Sequence, residues 1–176
     1  MTTDSEAAAA VDATDDEESA PKMPMLQVDD LLPAFRAATP ILCLAGQGPL
    51  DEAAAMMLAQ LLGKHGLNAR VESASTLSTQ NLFRLETNGA AVICLSYLDA
   101  SSLAHMRYAV RRLRRKAPKA TILLGCWTLE RSAEEVREGA KADLLASSLR
   151  EAVCQCLDAA RAIPEETTMV RTAIVA

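Results

Sequence analysis

The sequence predicts a doubly wound α/β fold with five parallel strands, and three observations carry that expectation. The runs ILCLA at 41–45, AVICL at 91–95 and TILL at 121–124 are apolar throughout rather than alternating, as strands buried on both faces are. Segments of helical length and composition separate these runs, so strand and helix alternate along the chain. The length of 176 residues and the 50% hydrophobic content suffice for one substantial core plus a tail.

The elements follow in order. Strand 41–45 is closed by Gly46. Residues 51–65 read as a helix of Ala, Leu and Met, with Asp51 and Glu52 in the first turn, where the helix dipole favours acids, and Gly66 suited to the C-terminal turn. A short strand at 69–72, a short helix at 78–85 and the strand at 91–95 come next. Residues 101–116 form a helix whose apolar stripe is Leu103, Met106, Val110 and Leu113. The strand at 121–124 precedes a polar helix at 132–138, a minimal strand at 143–145 and a closing helix at 148–162 capped by Ser147 or Ser148. Right-handed crossovers then favour the flavodoxin-like strand order 2-1-3-4-5.

Composition bounds the rest. Residues 1–20 hold seven acids and no Lys or Arg, with no aromatic residue, so 1–24 is expected to be a disordered, solvated acidic tail. Residues 25–39 read as a linker with one helical turn interrupted by Pro33, residues 40–162 as the domain, and 163–176 as a β-prone C-terminal tail. No apolar stretch approaches the ~20 residues that span a bilayer, and the acidic N-terminus is unlike a basic export signal, so the expected location is cytoplasmic. Five cysteines, three of them in apolar runs, fit reduced core thiols better than a disulfide framework.

Ligands of such folds sit beyond the carboxyl ends of the strands, at the switch between strands 1 and 3. That selects three loops, 46–51, 96–101 and 125–131, and the candidate ligand-binding residues Gly46, Gly48, Ser96, Tyr97, Leu98, His105, Gly125 and Trp127. Gly46-Gln47-Gly48 lacks the third glycine of a dinucleotide fingerprint and the Lys of a P-loop, and Asp51 and Glu52 repel a phosphate from the helix start. Ser96, Tyr97 and His105 fall short of a catalytic set because no base is paired with an orienting group. Trp127 either covers a planar ligand or caps the core. No metal is expected, because Cys154 and Cys156 point to opposite sides of a helix and His65 and His105 lack ligand-spaced neighbours.

The helix at 101–116 is strongly basic. Arg107, Arg111, Arg112, Arg114, Arg115 and Lys116, with Lys119 beyond, put seven positive charges in thirteen residues with no acid among them. Helical spacing sets Arg107, Arg111, Arg114 and Arg115 along one flank. The face suits an anionic membrane surface or an acidic protein segment, whereas nucleic acid fits less well without interleaved aromatics; otherwise it is a solvated helix face.

Ser96-Tyr97-Leu98 after strand 3, Gly125-Cys126 after strand 4, and Asp143 followed by 148–153 together resemble the cobalamin-binding domain family. Gln47 and Pro49 stand where that family carries the Asp and His of its cobalt-ligating loop. Over about 40–160, the segments AGQGPLDEAAAMMLAQLLGKHGL, CLSYLDASSLAHMRYAVRRLRRKAP and ILLGCW are similar to the soluble C-terminal domain of autoinducer-2 exporter family permeases. The resemblance implies a non-catalytic regulatory or interaction module with a degenerate pocket, a protein or membrane-protein partner, and no bound cofactor. The alternative is a small-ligand sensor, a corrinoid included.

Overall fold

A computed structural model of the chain describes residues 23–99, 102–128 and 132–161. Five strands, β1 (Ile41–Ala45), β2 (Ala69–Glu72), β3 (Val92–Asp99), β4 (Thr121–Thr128) and β5 (Leu144–Ala146), form one sheet in the order β2-β1-β3-β4-β5. Every pairing is parallel. Helices α1 (Pro49–Lys64), α2 (Thr79–Leu82), α3 (Leu103–Lys116), α4 (Ala133–Ala140) and α5 (Leu149–Ala160) make the crossovers. This is the expected flavodoxin-like arrangement.

The pleat explains why the strand runs are apolar throughout. Alternate residues point to opposite faces, and both faces are covered. Ile41, Cys43, Val92, Cys94 and Leu123 meet Leu58 and Leu62 of α1 and Val153 and Cys156 of α5. Leu42, Leu44, Ile93, Leu95, Ile122 and Leu124 meet Met106, Val110 and Leu113 of α3 and Val136 of α4. The 25–39 segment joins the first core through Leu26, Leu31 and Phe35. Its backbone is tied down as well, with Leu26 N–H donating to the His65 carbonyl and Leu32 N–H to the Ala160 carbonyl. The acidic tail expected for 1–24 lies outside the described residues up to residue 22, and the C-terminal tail lies outside them altogether.

Several boundaries differ from expectation. Strands β3 and β4 run on to Asp99 and Thr128, because their ladder continues through Ser96↔Gly125 and Tyr97↔Cys126 to Asp99↔Thr128. Ser96, Tyr97, Leu98, Gly125 and Trp127 are therefore strand residues, not loop residues. Helix α1 begins two residues early, at Pro49 behind Gly48, since proline suits the first helical position. The helix expected at 78–85 is a 3-10 turn at Ala74–Leu77 followed by the single turn of α2, capped by Ser78.

Candidate functional site

The carboxyl edge at the β1/β3 switch is held shut by the chain's own side chains. Asp51, in the first turn of α1, is buried. Its Oδ2 accepts the N–H of Gln47 at 2.7 Å and of Gly48 at 3.3 Å, which secures the turn after β1. Its Oδ1 accepts the Leu98 N–H at 2.6 Å, reaching across to the end of β3. One carboxylate thus bridges both sides of the position where a ligand of this fold class sits, and it also meets the positive end of the α1 dipole. Gly46 N–H donates to the Ser96 carbonyl at 2.9 Å and closes the ladder below it. At the end of β4, the Thr128 hydroxyl donates to the Leu98 carbonyl.

Two aromatic rings fill the space that the glycines leave. A Cβ on Gly46 would overlap the Tyr97 ring, and one on Gly125 would overlap the Trp127 indole. Tyr97 is 1% exposed, against the α3 side of the sheet. His105, whose N–H is capped by Ser102 Oγ, meets the Tyr97 ring edge-on with centroids 5.9 Å apart. Trp127 packs on the opposite face, with the α1/α5 core. Burial, and then the Asp51 carboxylate and Cys126, hold the Tyr97 phenol well above its ordinary pKa, so it is neutral. Burial likewise pushes the Cys126 thiol up to about 11. Neither group is poised as a base or nucleophile.

Beside Trp127 a shallow groove of about 350 Å³ runs between α1 and α5, lined by Ala54, Met57, Leu98 and Leu149. Its volume lies at the lower end of small-molecule sites. Three polar atoms at this edge, Ser96 Oγ, Tyr97 Oη and Trp127 Nε1, are buried with no hydrogen-bond partner among the described residues. The structure therefore gathers Gly46, Ser96, Tyr97, Leu98, Gly125 and Trp127 at one edge, with Gly48 fixed by Asp51 and His105 against Tyr97. Asp51 is the member that the candidate set lacked. An acid three residues after a helix-capping glycine is its sequence signal, since there it can reach back to the cap N–H.

The basic helix face is not a single flank. Arg107 Nε donates to the Gly139 carbonyl at 2.5 Å, and Arg114 pairs with Asp143 at 2.6 Å and bonds the Ala120 carbonyl, so both turn toward α4 and β5. Arg112 turns the other way, to the carbonyls of Leu77 and Ser78, and lies over the Tyr108 ring at 5.3 Å. Lys116 Nζ donates to the Phe83 carbonyl at 3.0 Å. These four side chains fasten α3 to its neighbours. Arg111 and Arg115 are exposed between them.

Among the described residues, no group of three or more His, Cys, Asp and Glu could hold a metal ion, and no helix is long and apolar enough to cross a membrane. No family model and no curated protein matches the chain. Among solved structures, the chain is similar to a novel cobalamin-binding protein from Desulfitobacterium hafniense DCB-2. The match has a TM-score of 0.55 at 15% identity and covers 69% of this chain and 59% of that one. The chain has a flavodoxin-like fold, which it shares with that protein; at 15% identity the likeness concerns the fold alone.

Proposed function

We propose that the chain is a non-catalytic regulatory or interaction module that keeps a cobalamin-binding-like fold without its ligand. The observation that carries this reading is the Asp51 carboxylate, which bridges Gln47, Gly48 and Leu98 across the crevice. The residues present do not fit a corrinoid. Gln47 and Pro49 offer cobalt no imidazole, and the clearances over Gly46 and Gly125 are taken by Tyr97 and Trp127. His105 is engaged edge-on with the Tyr97 ring. Association with an autoinducer-2 exporter-like permease, in the cytoplasm, is the partner arrangement that the sequence resemblance favours. Calorimetric titration of the full chain with ATP, NAD and FMN tests the closed crevice. No saturable heat is expected, and micromolar affinity for any of them would overturn the proposal.

The second reading is a small-ligand sensor. It draws on the three unpartnered polar atoms at the carboxyl edge, since a buried donor without an acceptor costs about 1–3 kcal/mol that a bound acceptor would recover.

A further inference from the structure

The opposite edge of the sheet carries a second concavity, about 680 Å³ in volume, between the 3-10 turn at Pro33–Phe35, the approach to β3 and the end of α3. Its walls are mostly small and apolar, among them Ala34, Ala37, Ala90 and Ala117, with Thr87 and Asn88 beside them, and Lys116 and Lys119 are its charged lining residues. Lys119 makes no ion pair among the described residues, nor do Arg111 and Arg115 further along α3. The groove thus offers a contact surface for small side chains bordered by cations that lack carboxylate partners.

We infer that this groove and the adjoining end of α3 dock the chain's own acidic segment, residues 4–18. Three observations converge on that occupant. The first is charge: the segment holds Asp4, Glu6, Asp12, Asp15, Asp16, Glu17 and Glu18 with no basic residue, and the charged residues lining the groove, Lys116 and Lys119, are both basic. The second is shape: Ala7–Ala10 and Val11 interrupt the acids with the small apolar side chains that an alanine-walled groove accepts.

The third is reach. Helices of a parallel α/β sheet run back from the carboxyl edge, so α1 and α3 both end at the amino edge. Pro24 and Leu26 are fastened to His65 at the end of α1, so the segment leaves from the same edge that bears Lys116 and Lys119. Extended chain covers about 3.3 Å per residue, so Asp12 lies within about 36 Å of Met23. A domain of this size has a radius of gyration of about 14 Å, so the span is covered with slack. A tether of this length holds the acids at millimolar effective concentration, which makes weak, screened ion pairs sufficient for occupancy at low salt.

The test is zero-length carbodiimide cross-linking of the full chain at low salt, followed by peptide mass mapping. Links from the acids of residues 4–18 to Lys116 and Lys119 are expected to exceed those to Lys64 and Lys141, both exposed, several-fold. They should fall several-fold in about 1 M salt, where the screening length drops to about 3 Å. Equal yields on all four lysines, or yields indifferent to salt, would overturn the inference. So would binding of the full chain to phosphatidylserine vesicles without links to Lys116 or Lys119, which would give the face to an anionic lipid surface instead.

Discussion

Replacing Asp51 by alanine removes the bracket across the crevice, and the cost follows from its three contacts. The bonds to Gln47 at 2.7 Å and Leu98 at 2.6 Å are short and charge-assisted, while the one to Gly48 at 3.3 Å is weak. A hydrogen bond to a charged group contributes about 1.5–3 kcal/mol, and the helix-dipole interaction adds about 0.3–1 kcal/mol. Gln47 is exposed, so water recovers part of the loss there, whereas the Leu98 N–H is half-buried. The balance is a loss of about 2–4 kcal/mol, or about 6–12 °C in Tm for a domain of this size. Urea denaturation should show a lower midpoint with an unchanged slope, and native-state exchange of the Leu98 amide should accelerate at least about tenfold. Asp51→Asn should fall between, since its Oδ1 still serves Leu98 but its NH₂ faces two N–H donors. A loss under about 1 kcal/mol in Asp51→Ala, with Leu98 exchange unchanged, would refute the bracket.

Three further outcomes are expected. Gly46→Ala forces its Cβ into the Tyr97 ring and should cost about 1–3 kcal/mol, with most of the loss recovered in a Tyr97→Leu background; an additive double-mutant cycle would contradict the contact. Tyr97→Phe removes a buried hydroxyl that has no partner among the described residues and should be neutral or stabilising by up to about 1 kcal/mol below pH 9. The raised phenol pKa means that the unfolded chain releases this proton first, so wild-type stability should fall as pH rises above about 10, and Tyr97→Phe should lose that component of the fall. Finally, Cys154 is the only partly exposed thiol, so a disulfide reagent should modify it first in the native protein. Cys94 should react only as the domain opens, because hydrogen bonding to Cys156 and Cys43 together with burial keeps it protonated.

The fold was legible because its signals are local. Runs such as ILCLA and AVICL cannot be half-exposed, and Ser148, one of the two serines expected to cap the closing helix, accepts the Glu151 N–H. The ends of β3 and β4 were not legible. Ser96 and Gly125 read as breaks, yet they pair with each other in the ladder, and the rings of Tyr97 and Trp127 cover Gly46, just after β1, and Gly125, two residues upstream in β4. The candidate site had the same limit. Residue type placed Ser96, Tyr97 and Trp127 at the right edge, but whether that edge is open depends on where one carboxylate points. Asp51 was read as an acid that repels phosphate, and its bonds to Gln47, Gly48 and Leu98 exist only in three dimensions. The basic face divided for a similar reason, because Arg107, Arg112 and Lys116 find backbone carbonyls, and Arg114 the Asp143 carboxylate, about thirty residues away in sequence.

The proposed function stands or falls most directly on hydroxocobalamin. The full chain is incubated with excess corrinoid, desalted, and its visible spectrum recorded against the protein absorbance, with His105→Ala alongside. With the crevice bridged by Asp51 and the glycine clearances filled by Tyr97 and Trp127, no corrinoid absorbance should accompany the protein. Stoichiometric colour that survives desalting would contradict the account: its loss in His105→Ala would install the sensor reading, and its persistence would show that the crevice opens without that histidine.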